Sequence, residues 1–146
     1  MVCIQQKGFT LLELMLVVAM IGLIAAFSIT VGTGFLWRTD LSQAQYTTVV
    51  SLRYAQLLSQ AGEENADWGV HIEDNELTIF NGSVFESRDV TKDEEYDLGR
   101  VTISPAMDII YEKFSGKPYE DSSEIQLVTD QDTASITINS EGNVEY

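Results

Sequence analysis

The chain is short of cysteine, histidine and cations, and each shortage removes a class of explanation. Cys3 is the only cysteine in 146 residues, so no internal disulfide forms and stability must come from packing. A lone cysteine so near the amino terminus raises lipidation, but the small-residue lipobox is missing, since only Met1 and Val2 precede Cys3 and Ile4 follows it. His71 is the only histidine, and there is no metal-ligand cysteine pair and no phosphate-cradling glycine loop, so zinc and nucleotide chemistry have no support. As a general base His71 would need a Ser or Asp partner from elsewhere in the chain; it reads as a half-exposed strand residue, and the protein as not an enzyme. Basic side chains number 8 against 23 acidic ones, a net charge of -15. Such a surface repels phosphate backbones, which are bound through Lys and Arg, and disfavours lying flat on anionic lipid. Direct nucleic-acid binding is therefore disfavoured, and the acidity reads as a device that keeps the domain soluble.

What is present begins with Lys7-Gly8-Phe9-Thr10-Leu11-Leu12-Glu13 and continues as an apolar segment to about Val31. No side chain from Leu14 to Phe27 is charged. A helix of about 20 apolar residues spans a bilayer core, and the segment starting at Phe9 meets that length. Glu13 is the exception within it. A charge at the centre of a membrane helix costs roughly 2.5–3.5 kcal/mol, and such residues face a partner or a polar cavity; at one turn inside the segment, snorkelling lowers the cost. Lys7 precedes the apolar run and no basic residue follows until Arg38, which places the amino-terminal residues in the cytoplasm and the remainder outside.

Beyond Val31-Gly32-Thr33-Gly34, a stretch that softens the helix, Phe35, Leu36 and Trp37 read as interfacial anchors. Leu41, Ala44, Thr48, Leu52, Ala55 and Leu58 then recur every three or four residues, the stripe of an amphipathic helix, with Asp40 as a first-turn acid and Gly62 as a C-cap. After Gly62 the pattern turns to strands at Trp68–Ile72 and Glu76–Phe80 around the turn Glu73-Asp74-Asn75. Asn81-Gly82 predicts a hairpin that pairs Ser83–Glu86 back on the preceding strand, and Arg88–Asp97 reads as an exposed charged loop. Further strands are expected at Gly99–Ser104, Asp108–Phe114, Ile125–Thr129 and Ala134–Asn139, separated by turns at Ser115-Gly116-Lys117-Pro118 and Ser140-Glu141-Gly142-Asn143. Short antiparallel strands without a second long helix imply a sheet packed on the helix before it, an α+β fold. No cofactor is indicated. Asp93-Glu94-Glu95-Asp97 and Asp130-Gln131-Asp132 could offer calcium hard oxygen ligands, but neither has EF-hand spacing, and a solvated acidic face is the reading kept. Asn81-Gly82-Ser83 matches a glycosylation sequon, which its hairpin role already explains.

Gly8-Phe9-Thr10-Leu11-Leu12-Glu13-Leu14, followed by Met15–Ala26, resembles the class III signal of type IV pilins and type II secretion pseudopilins. The resemblance implies cleavage by a prepilin peptidase between Gly8 and Phe9, N-methylation of Phe9, and pairing of Glu13 with the terminal amine of a neighbouring subunit during filament assembly. An ammonium and a carboxylate together are far cheaper to bury than either alone. It also implies a pilin-like fold in four segments: a leader at 1–8, a transmembrane assembly helix at 9–35, its amphipathic continuation at 36–62, and an acidic β-rich extracytoplasmic domain at 63–146. Gly22 resembles the glycine at which pilin helices loosen in filaments, and close packing against a neighbouring helix explains it equally well. The lack of a proline near Thr30, together with Arg53-Tyr54-Ala55-Gln56, Trp68-Gly69-Val70 and Ile136 to Gly142, is similar to the minor pseudopilin and FimT-like branch, which carries two packed sheets after the helix. The expected partners are prepilin peptidase, other pilin or pseudopilin subunits and an inner-membrane assembly platform. The expected location is the cytoplasmic membrane, then a surface or periplasmic filament. A DNA-uptake pilin, or an exported binding module or enzyme with a pilin-like leader, are the alternatives.

Overall fold

The computed structural model describes residues 9–146, apart from the side chains of residues 27–37. A single α-helix, α1 (Leu11–Ala61), accounts for 51 residues, so the amphipathic stretch continues the same helix, whose assignment runs through Gly32 and Gly34. The chain divides into two compact units, Met1–Leu36 and Trp37–Tyr146.

In the second unit α1 ends where Gly62 turns left-handed, at φ 66°, a conformation only glycine adopts without strain. Eight strands follow: β1 (Trp68–Glu73), β2 (Glu76–Asn81), β3 (Glu94–Asp97), β4 (Thr102–Ser104), β5 (Met107–Tyr111), β6 (Ser122–Val128), β7 (Thr133–Asn139) and β8 (Val144–Glu145). They form two antiparallel sheets, ordered β3-β2-β1-β5 and β4-β6-β7-β8. The fold is α+β, a helix packed on antiparallel sheets.

One hydrophobic cluster joins helix and sheets. Leu41, Ala44, Leu52 and Ala55 of α1 meet Val70, Ile72, Leu77 and Ile79 of the first sheet and Ile125, Leu127, Ile136 and Ile138 of the second. In β6 and β7 these residues alternate with exposed ones, as expected for sheets with one wet face. Leu58 lies at the margin of the cluster rather than inside it, and Val49 is more deeply buried. Gly69 in β1 is needed for close approach: a Cβ there would lie 2.6 Å from the Phe80 ring and 3.2 Å from the Ile109 carbonyl oxygen.

Two expectations are corrected. Asn81-Gly82 does not turn a hairpin, and residues 83–86 pair with nothing in the sheet. The chain instead makes short 3-10 turns at Phe85–Ser87 and Val90–Lys92, and β2 receives β3, from within the expected charged loop, in the register Leu77↔Tyr96 and Ile79↔Glu94. Phe85 supplies the reason. Its ring stacks on His71 at 3.6 Å and meets Phe80 edge-on at 5.3 Å, so the segment after Gly82 covers the outer face of the first sheet. Thr78 and Phe80 are buried beside Leu77 and Ile79, so β2 is covered on both faces. The last strand, β8, is only two residues long and pairs Thr137↔Glu145, too short to leave a periodic pattern.

Candidate assembly site

The described residues begin at Phe9, so Gly8, Lys7 and Cys3 lie outside them, and the expected cleavage site is described on one side only. Thr10-Leu11-Leu12-Glu13 is a capping-box sequence, Ser or Thr followed three residues later by Glu. The backbone amide of Glu13 donates to Thr10 Oγ1 at 3.2 Å, and that of Leu14 to the Thr10 carbonyl at 3.2 Å. Thr10 is thus the N-cap, a role that the sequence reading missed although the spacing signals it. Glu13 stands in the first turn of α1, where a carboxylate is favoured by the positive end of the helix dipole. Its side chain is exposed, and no described acid or base within the chain forms an ion pair with it.

The helix surface around Glu13 is unpartnered. Phe9 is 83% exposed, and Leu11, Leu12, Leu14, Met15, Leu16, Val17 and Val18 are all exposed as well. A Cβ on Gly22 would meet nothing within 4 Å, so no contact within the chain requires a glycine there. Among the described residues no helix is long and apolar enough to cross a membrane. The described apolar side chains of α1 run from Leu11 to Ala26, roughly 24 Å at 1.5 Å per residue, and the rest of the expected span, 27–35, lies outside the described side chains, as does Trp37.

The remaining candidates are placed as follows. His71 is held on β1 by Asp108 of β5, Nδ1 to Oδ1 at 2.5 Å, with Glu73 3.6 Å from its Nε2. Among the described residues no Ser hydroxyl bonds to the ring. Arg88 lies over Phe85 at 3.6 Å and its Nε donates to Asp93 Oδ2 at 2.7 Å, which fastens the loop onto the sheet. The acidic clusters are taken up locally. Glu94 accepts the Tyr96 hydroxyl at 2.9 Å, Asp97 accepts the Gly99 amide at 2.7 Å, and Asp132 accepts the Thr133 amide at 3.0 Å. Among the described residues no group of three or more His, Cys, Asp or Glu is placed to hold a metal ion. The Asn81 side-chain nitrogen is buried without a hydrogen-bond partner among the described residues.

The helix end is pinned by residues that the sequence reading did not single out. Ser59 Oγ donates to the Tyr111 carbonyl at 2.9 Å and accepts from the Trp68 amide at 3.0 Å. Gln56 Nε2 donates to the carbonyl oxygens of Gly116 at 3.0 Å and Glu141 at 3.3 Å. These contacts bridge residues far apart in sequence, so no local pattern announces them.

The family profile described as the prokaryotic N-terminal methylation motif matches residues 4–29. The chain is similar to a type IV major fimbrial protein FimA of Dichelobacter nodosus, 55% identical over 38 residues, covering 26% of this chain and 24% of that protein. It is also similar to a fimbrial protein of Pseudomonas aeruginosa, 34% identical over 94 residues, covering 64% of this chain and 48% of that protein. The aligned stretches thus span less than half the length of these curated relatives. No solved structure gives a significant match. The N-terminal methylation motif, the fimbrial relatives and the helix-on-sheet fold together support the type IV pilin family for this chain.

Proposed function

We propose that this protein is a structural subunit of a type IV filament, a pilus or a type II secretion pseudopilus. In this reading prepilin peptidase cuts between Gly8 and Phe9, and Phe9 is N-methylated. The apolar half of α1 then serves first as a membrane anchor and later as an assembly surface, while the acidic domain stays outside the cytoplasm. One observation carries the reading: the methylation-motif segment folds as a capped helix whose apolar side chains, Leu11 to Ile24, are exposed around a lone Glu13. Such a surface is stable only when lipid or other helices cover it. A terminal amine created at Phe9 would add positive charge beside the positive end of the helix dipole, an unfavourable arrangement that a carboxylate in the first turn of the same or a neighbouring helix relieves. Loss of Lys7 with the leader leaves 7 basic and 23 acidic side chains, a net -16. Copies carrying that charge repel one another, which favours a minor subunit interspersed among others over the bulk one.

The experiment is co-expression with a prepilin peptidase. The full chain is expected to shorten by the eight leader residues, and Gly8→Val to block that shift. Glu13→Ala is expected to be cleaved normally yet to enter filaments poorly. Absence of any shift would remove the filament reading and leave a membrane-tethered module; normal entry of Glu13→Ala would remove the role given to Glu13.

A further inference from the structure

Between Leu41 and Gly62 the only charged side chain is Arg53, in a protein that is otherwise polyanionic. The buried stripe of this helix accounts for only one side of it. Tyr46, Val50, Tyr54 and Leu57 recur at helical spacing on the other, exposed by 67%, 44%, 38% and 59%. Where this second stripe faces the first sheet it forms one wall of a cleft of about 300 Å³, lined by Tyr46, Val50 and Tyr54 on one side and Ile79 and Tyr96 on the other. The rim is acidic. Tyr96 donates to Glu94 at 2.9 Å, and the two side chains share one face of β3, the terminal strand of its sheet, whereas Glu95 and Asp97 alternate to the other face. Arg53 does not neutralise this rim, because it is drawn to the second sheet, with Nη2 3.5 Å from the Val144 carbonyl and its guanidinium 5.8 Å from the Tyr146 ring.

We propose that this cleft is the docking site for a basic partner, and that it takes an arginine or lysine side chain from a different subunit with net positive charge. Tyrosine faces attract guanidinium and ammonium groups, the apolar walls cover the aliphatic stem, and Glu94 meets the charged head. Charge complementarity selects the partner. A second copy of this chain would bring another Trp37–Tyr146 unit with 7 basic and 22 acidic side chains, or -15. Several of its cations are already engaged, Arg88 with Asp93, Lys92 with Glu64 and Lys117 with Glu141. The identity of the partner as a filament subunit rests on the proposed function; the binding chemistry of the cleft does not.

The test uses the full chain in maltoside micelles and two synthetic ten-residue peptides, one alternating arginine with leucine and the other alternating glutamate with leucine, followed by calorimetry. The arginine peptide is expected to bind, with affinity falling steeply between roughly 50 and 300 mM salt. Tyr54→Ala is expected to weaken it by about ten-fold. Glu94→Gln, an exposed and conservative change, is expected to weaken it several-fold, while Glu124→Gln on the remote strand β6 leaves it unchanged. Binding that Tyr54→Ala does not alter, or that Glu124→Gln weakens as much as Glu94→Gln, would reduce the effect to general attraction by an acidic surface and overturn the proposal. Binding of neither peptide, or tighter binding of the glutamate peptide, also overturns it. None of these results bears on cleavage or on the Glu13 assay, so the two readings fail separately.

Discussion

At the scale of single residues, the buried polar groups carry the sharpest consequences. Ser59 is fully buried, and its one hydroxyl satisfies both the Tyr111 carbonyl and the Trp68 amide. Ser59→Ala leaves both without a partner, an expected loss of about 1–3 kcal/mol, read as a lowered urea midpoint by near-ultraviolet circular dichroism. Tyr111 is the opposite case. Its side chain is buried and its hydroxyl has no partner among the described residues, and burial pushes its pKa above the ordinary tyrosine value. The folded protein therefore holds Tyr111 neutral while the unfolded chain ionises it, so stability is intact below about pH 10 and falls as pH rises beyond it, by up to about 1.4 kcal/mol per unit from this group. Tyr111→Phe is expected to be neutral or slightly stabilising at pH 7 and to flatten that alkaline slope, measured as melting temperature from pH 8 to 11. His71 shows how far a residue can be read without its neighbours. A half-exposed strand position was legible, but Asp108 comes from 37 residues away and Phe85 from a loop expected to be a hairpin arm.

At the scale of elements, the strands seen clearly in the sequence are those whose pattern is local. Trp68 to Asn81 reads as two strands around a tight turn because its apolar residues and the Glu73-Asp74-Asn75 turn are contiguous, and the register Glu73↔Glu76 agrees. The misplaced pairing after Asn81 has a specific cause: a favourable turn dipeptide was outweighed by the stacking of Phe85 on His71 and Phe80. The same competition made β3 invisible, since Glu94-Glu95-Tyr96-Asp97 has one apolar residue and becomes a strand only because β2 offers it an edge. Gly69 tests the packing of β1. Gly69→Ala pushes a methyl into the buried Phe80 ring and is expected to cost about 1–3 kcal/mol, read as a lowered denaturation midpoint. On α1 the buried stripe was legible from its period, while the exposed Tyr46–Tyr54 stripe beside it acquires meaning only where β3 supplies the facing wall of the cleft.

At the scale of the whole molecule, the net charge of -15 and the exposed apolar helix segment dictate how the chain meets nucleic acid and lipid. An acidic protein with few cations gains nothing from counterion release on DNA, so the full chain in micelles is expected to give no shift of a duplex at about 20 mM salt. A tight shift there would favour direct DNA capture and revise the reading of the surface. The exposed Phe9–Ile24 surface is expected to make the chain partition into detergent or lipid whether or not the leader is cut, because cleavage removes none of those residues.

The sequence by itself determined the N-terminal methylation motif, the position of Glu13, the existence of the long helix and the acidic β-rich domain, because each is written in contiguous residues: a short motif, a helical period, a composition. Only the tertiary structure decided which strands join which of the two sheets, that Ser59 and Gln56 tie the helix end to distant loops, and that tyrosines from α1 and β3 form one cleft. Most of those outcomes depend on contacts between residues separated by tens of positions. Whether such contacts outweigh a local preference, as Phe85 outweighed Asn81-Gly82, is settled by the free energy of burial in the assembled core.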